Sequence, residues 1–250
     1  MTDRRTMMAE FLARSGWGDA QVETLAGDAS NRRYFRLIHP ERRAVLMDAL
    51  PDKGEDVRPF VKIASVLRAV PLSAPRIMAE DHNAGFLLLE DLGNDLFAVV
   101  LAQNPTLEEV LYTAATEALV KLHDTPPPLD LATYDATTMA DLAGLAFDWY
   151  AAGITGEDFS DRKKKFTIAF ADTLSRLDGL TEVLIQRDYH AENLLWLPKR
   201  DGVARVGLLD FQDAMSGHRS YDLVSLLQDA RRDVPPPIEA QMIDHYIRTT

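Results

Sequence analysis

The sequence predicts an α+β chain in two parts, a small antiparallel sheet with one helix followed by a mainly helical remainder. Three observations lead there. Short β-type runs bounded by turn residues fill most of the first 90 positions, and apolar spacing near 3.6 residues fills most of the next 90. With 250 residues, 46% of them apolar, the chain is long enough for one large core or two smaller ones without disulfide or metal staples.

The elements follow in order. Met7, Met8, Phe11 and Leu12 sit at helical spacing in Thr2–Ser15, and Gly16 stands where a C-terminal cap belongs. Three β-type runs, Gln21–Leu25, Arg33–Ile38 and Ala44–Ala49, are separated by Gly27–Asn31 and His39–Arg42 and form a meander. A helix over Asp56–Val70 carries Val57, Phe60, Val61, Ala64 and Leu67 on one face, and strands follow at Arg76–Glu80 and Phe86–Leu89. This gives an amino-terminal lobe over 1–89, a hinge over 90–95 and a helical lobe over 96–250. In the helical lobe, Thr106-Leu107-Glu108-Glu109 is a capping-box signal for a helix to about His123. Further helices are predicted near Met139–Ala152 and Asp161–Leu177, short strands at Val183–Gln186, Asn193–Leu197 and Val206–Asp210, and a last pair of helices from Ser220 and Pro237.

Composition narrows the function. There is no cysteine, which excludes disulfides, thiolate metal sites and a thiol nucleophile and makes the reducing cytoplasm the default. A formal charge of -12 repels phosphate backbones and acidic lipids, so neither nucleic acid nor membrane is an expected partner. Lys163–Lys165 reads as a solvated face. No apolar run reaches signal-peptide or membrane-spanning length. A cytoplasmic monomer acting on a small molecule is expected.

The chemistry concentrates in Gln186-Arg187-Asp188-Tyr189-His190-Ala191-Glu192-Asn193-Leu194 and, after a charged turn, Leu208-Leu209-Asp210-Phe211-Gln212. An aspartate, an asparagine five positions on, and an apolar strand ending in a second aspartate form the arrangement phosphoryl transfer uses. Asp188 would accept or orient the proton of an attacking hydroxyl, while Asn193 and Asp210 would hold Mg2+ against the phosphates of ATP. Singly, such residues are common turn formers; their joint spacing favours the site. His190 is expected to brace the catalytic loop, and Asp222 to cap its own helix or to hold that loop.

On these residues the chain resembles the aminoglycoside phosphotransferase/choline kinase superfamily, relatives of the protein kinases. The resemblance implies a two-lobed protein-kinase-like fold with ATP in the cleft. It makes Gly27–Arg36 the nucleotide-covering loop and strand, with Ala29, Ser30, Asn31 and Arg33 as binding residues. It makes Leu87–Gly93 the hinge, with Glu90, Asp91 and Leu92 facing adenine through their backbone. Within the superfamily, Asp28–Arg36, Val45–Ala49, Phe147–Tyr150, Gln186–Leu194 and Ser220–Ala230 resemble the anomeric N-acetylmuramate/N-acetylglucosamine kinases of cell-wall recycling. That implies transfer to an amino sugar's anomeric hydroxyl, with Asp148, Trp149 and Asp229 as acceptor-side candidates. Trp149 is equally readable as core, and Asp229 as a solvated helix charge.

Two departures stand out. Val45-Leu46-Met47-Asp48-Ala49 lacks the lysine that approaches the α/β-phosphates in kinases; magnesium and loop amides could carry more of the charge, or Arg32, Arg33 or Lys53 could fold in. Ile238–Thr250 reads as an amphipathic helix ending without a cap where relatives continue, so part of the acceptor-side wall is expected to be missing. An aminoglycoside, choline or homoserine kinase, or a nucleotide-binding pseudokinase, are the alternative readings. Protein-kinase activity is disfavoured because only eleven residues separate Asp210 from Asp222.

Overall fold

The computed structural model describes residues 3–25, 31–180 and 182–250. The chain forms two compact units, Met1–Ala118 with His190–Asp213, and Leu119–Tyr189 with Ala214–Thr250. The expected boundary at 90–95 is internal to the first unit. There Trp196 donates its backbone N–H to Asp95 O at 2.7 Å, and Leu96 bridges Leu195.

In the first unit, strands β1 (Gln21–Thr24), β2 (Arg32–His39), β3 (Arg42–Ala49), β4 (Ile77–Asp81) and β5 (Phe86–Glu90) form an antiparallel sheet in the order β1-β2-β3-β5-β4. These are the five predicted strands: the first three form the predicted meander, and β5 rather than β4 pairs with β3. Alternation along the strands puts Leu37, Ala44, Leu46, Phe86 and Leu88 on one face, packed against Phe11 and Leu12 of helix α1 (Arg4–Arg14) and against Trp17. The register pairs Arg33 with Asp48 and Asp48 with Phe86, so Arg33 and Asp48 belong to that face. Tyr34 pairs with Met47, and Arg36 with Val45, on the other. Helix α2 (Arg58–Ala69) buries Phe60, Ile63, Ala64 and Leu67, the period-3.6 stripe of its sequence.

Helix α3 (Phe97–Gln103) was not predicted, and its only buried residues are Phe97 and Leu101, one turn apart. A 3-10 turn at Pro105–Leu107 leads into α4 (Glu108–His123). The hairpin of β8 (Leu194–Trp196) and β9 (Val206–Leu208) completes the unit. It is attached through Leu208 N–H to Ser73 O at 3.0 Å and Ser73 Oγ–H to Ala204 O at 2.6 Å.

The second unit holds a three-stranded sheet of β6 (Thr133–Tyr134), β7 (Glu182–Ile185) and β10 (Met215–His218), in the order β6-β10-β7. A β-carbon on Gly217 of β10 would stand 2.7 Å from Ile185 Cδ1, so Ile185 would have to shift. The helix predicted over Met139–Ala152 is three pieces: α5 (Ala136–Leu145), a π-helical turn (Ala146–Ala151) and α6 (Ala152–Thr155). Helix α7 (Ser160–Leu174) packs on α5 where Gly144 lets Thr167 and Lys163 approach closely. Helices α8 (Ser220–Leu227) and α9 (Pro236–Thr249) end the chain. Among the described residues no helix is long and apolar enough to cross a membrane.

Candidate active site

A cavity of about 410 Å³ lies within the first unit. Its roof is the sheet face carrying Tyr34, Arg36 and Val45, its edge is Leu89–Gly93, and its floor includes Asn193, Leu195 and Asp210. The lining is mostly apolar with a few polar groups, as in small-molecule sites generally.

The edge is tied by side chains. Arg36 is mostly buried and grips Asp91 with Nε at 2.8 Å from one carboxylate oxygen and Nη2 at 3.0 Å from the other. Its Nη2 also donates to Gly93 O at 3.2 Å, and Asp91 Oδ1 accepts the Gly93 N–H at 3.0 Å. Gly93 takes φ +94°, a conformation that favours glycine. The Glu90 side chain accepts from Arg200 Nη2 at 2.8 Å, and Arg200 Nη1 reaches Ser73 Oγ at 2.7 Å. Glu90 and Asp91 therefore use their carboxylates to build the edge.

Asn193 and Asp210 both line the cavity and sit at the same end of the β8–β9 hairpin, where Leu209 N–H donates to Asn193 O at 3.0 Å. The Asn193 amide lies 3.2 Å from His190 Nε2 through Nδ2, which can only donate, so Oδ1 turns away from the imidazole. Asp210 adopts φ +54°, one of two left-handed non-glycine residues among the described residues, and Gln212 Nε2 donates to its Oδ1 at 2.7 Å. Such backbone strain concentrates at functional sites. An amide and a carboxylate lining one cavity are hard oxygen donors of the kind Mg2+ takes, and they would hold it together with waters.

Of the other residues predicted to bind nucleotide, Ala29 and Ser30 lie outside the described residues. Asn31 is exposed and donates its N–H to Glu55 Oε1 at 3.1 Å. Arg33 is on the far face of the sheet, where it pairs with the buried Asp48. Tyr34 and Arg36, which line the cavity, were not singled out. Their even spacing within β2 was the available signal.

In the second unit, Asp188 follows Arg187, which is left-handed at φ +74°. Asp222 is completely buried and accepts Gln186 N–H at 2.7 Å and Arg187 N–H at 3.0 Å, clamping the backbone just ahead of Asp188. Burial, reinforced by the charge of Asp188, pushes the Asp222 carboxyl up to about 7 against the pull of those two N–H groups. Ser225 Oγ donates to Arg187 O at 3.4 Å. The Arg187 guanidinium lies 5.4 Å from the Tyr134 ring centroid. Asp148 lies in the π-helical turn and pairs with Lys163 Nζ at 2.5 Å, while its neighbour Trp149 is 78% exposed. Asp229 is buried, with Oδ1 accepting Arg231 N–H at 2.9 Å. His123 is buried with Nδ1 2.7 Å from Tyr246 Oη, and burial together with the Arg219 charge lowers its pKa to about 3.

Residues 21–250 match the phosphotransferase enzyme family. The chain belongs to that family. Its members include relatives similar to this chain over nearly its full length. An N-acetylmuramate/N-acetylglucosamine kinase of Caulobacter vibrioides is 38% identical, covering 98% of this chain and 77% of its own. One of the same description from Pseudomonas aeruginosa is 34% identical, covering 96% of this chain and 70% of its own. Among solved structures, a choline kinase of Streptococcus pneumoniae superposes with a TM-score of 0.68 at 13% identity, over 97% of this chain and 79% of that one. An aminoglycoside phosphotransferase of Streptomyces rimosus does so with 0.65 at 17%, over 98% and 92%. These likenesses show the two-lobed kinase fold, with an antiparallel-sheet amino-terminal lobe and a mainly helical carboxy-terminal lobe. As a family member the chain is a phosphotransferase.

Proposed function

We propose that this phosphotransferase moves the γ-phosphate of ATP to the anomeric hydroxyl of N-acetylmuramate or N-acetylglucosamine. The observation that carries the nucleotide half is the cavity whose one end is the Glu90–Leu92 edge and whose floor holds Asn193 and Asp210. Two relatives of that description, 38% and 34% identical over almost all of this chain, support the acceptor.

In this reading residues 1–89 form the nucleotide-covering lobe, 90–95 the hinge, and 96–250 the catalytic and acceptor lobe. Adenine takes backbone hydrogen bonds from Glu90–Leu92 beneath Tyr34 and Val45. Asn193 and Asp210 hold Mg2+, which when bound neutralises charge on the phosphate oxygens. Asp188 orients the acceptor hydroxyl and takes its proton as the new O–P bond forms and the bond to the β-phosphate oxygen breaks, releasing ADP. Asp222 fixes the loop that presents Asp188. His190 sets the Asn193 amide. Trp149 offers an exposed ring face to a pyranose, with Asp148 and Asp229 as acceptors for sugar hydroxyls.

The test is ADP release from Mg-ATP over a panel of N-acetylmuramate, N-acetylglucosamine, an aminoglycoside, choline and homoserine. Turnover is expected with the amino sugars alone. Asp188→Ala should lower kcat by roughly 10²–10⁴-fold with ATP affinity unchanged. Turnover on choline or an aminoglycoside instead would replace the acceptor, and wild-type rates from Asp188→Ala would remove the base.

A further inference from the structure

Resting on the nucleotide reading above, we infer that Arg32 is the cation that binds the polyphosphate in this chain, in the place a third-strand lysine holds in kinases. The position such a lysine would occupy, on the cavity face of β3, is taken by Met47, which is 1% exposed and paired in register with Tyr34. An apolar side chain there leaves the phosphate end of the cavity without a charge from β3.

Four nearby cations compete for the role, and the strand register separates them. Arg33 points to the opposite face and is committed to Asp48. Lys53 is exposed in the 3-10 turn Pro51–Lys53. Arg36 is on the correct face but at the wrong end, locked to Asp91 and Gly93 at the edge where adenine binds. Arg32 is on the same face as Tyr34 and Arg36. Two residues along a strand span about 6–7 Å, so the row runs Arg36, Tyr34, Arg32 from the adenine edge outward, the direction in which a triphosphate extends.

The guanidinium is also built in. Its side chain is 13% exposed, and Nε donates to Glu55 Oε2 at 2.9 Å. Glu55 also accepts the Asn31 N–H at 3.1 Å, so one carboxylate orients both the arginine and the backbone beside it. This reproduces with an arginine the acid-tethered cation of the kinase site, from β2 and the segment before α2. The planar fork matches phosphate oxygens.

Isothermal titration of the full chain with Mg-ATP and with adenosine tests this by a ratio that does not depend on turnover. In the wild type, Mg-ATP should bind more tightly than adenosine. Arg32→Met should weaken Mg-ATP by about ten- to a hundredfold and leave adenosine unchanged, collapsing the ratio. Arg32→Gln, whose amide nitrogen stands where Nε does and can still donate to Glu55, should do the same and serves if the methionine variant does not fold. Lys53→Ala should keep the wild-type ratio. Equal weakening of both ligands would make Arg32 a structural residue and overturn the inference, as would an unchanged ratio. A wild-type chain that bound neither ligand would instead overturn the nucleotide reading itself.

Discussion

The two faces of the five-stranded sheet both carry arginines paired to carboxylates, yet they are put together differently. On the α1 face one fully buried aspartate, Asp48, is shared by two arginines from different elements, Arg4 and Arg33, and the Arg4 guanidinium lies 3.9 Å from the Phe86 ring centroid. Arg4 Nη1 also donates to Ala84 O at 2.6 Å. That cluster closes a core. On the cavity face each arginine has its own acid, Arg36 with Asp91 and Arg32 with Glu55, spaced along a row that also holds Tyr34. The back-face charges satisfy each other, whereas the cavity-face pairs hold guanidinium groups in place beside an open cavity. Alternation of a single run, Arg32-Arg33-Tyr34-Phe35-Arg36, produces both arrangements.

The comparison breaks most sharply at Asp48. Asp48→Ala leaves Arg4 and Arg33 facing an apolar core with no carboxylate. A cost of about 3 kcal/mol is expected, at the lower end for a broken buried pair because both arginines retain solvent contact. Urea unfolding measures it, and the nucleotide affinity of the folded protein should not change. A loss of affinity without a loss of stability would show that the back face serves the site.

Arg36→Met should have the next largest effect and of a different kind. It strands Asp91, whose side chain is 7% exposed, and frees the edge segment Asp91–Gly93. Stability should fall by about 1–2 kcal/mol. Adenosine and ATP affinities should fall together, because the lost order is at the adenine edge. A fall in ATP affinity alone would assign Arg36 to the phosphates and blur the distinction drawn along the row.

How much of this the sequence reveals depends on whether local pattern or register carries the information. The five strands and α2 are legible because apolar alternation and period-3.6 spacing are strong there, and the β8–β9 hairpin is legible from apolar runs on either side of a charged turn. The hairpin also explains why Asn193 and Asp210 are found at one cavity. What alternation alone lacks is the absolute face: Arg32 and Arg33 differ by one residue, and only pairing with β3 says which of them meets the cavity. The sequence therefore points to Arg33, whereas Arg32 and Arg36 share the sheet face that roofs the cavity. Strand β10 is invisible because Met215-Ser216-Gly217-His218 has no β-branched residue, and its glycine is needed for contact with Ile185. The π-helical turn at Ala146–Ala151 shares its apolar pattern with an ordinary helix, so the sequence runs straight through it. The clamp of Asp222 on Gln186 and Arg187 joins residues 36 and 35 positions apart; the sequence offers a helix cap or a hold on the loop for Asp222, and the long-range contact decides for the loop.

The smallest expected effect is the most telling one for the two faces. Arg33→Ala removes a side chain that is 50% exposed, and Arg4 remains on Asp48 through Nε at 2.9 Å and a second, shorter contact from Nη2. Both Arg4 nitrogens bond Oδ1, so the aspartate keeps one charged partner while its Oδ2 loses Arg33. Solvent already screens the lost pair, so the change in stability should be about 0.5–1 kcal/mol. ATP and adenosine affinities should both match the wild type. If Arg33→Ala instead weakened ATP by tenfold or more at constant adenosine affinity, the guanidinium would have to leave Asp48 and pass around the edge of β2 to reach the phosphates. The assignment of one face to the core and the other to nucleotide would then be lost.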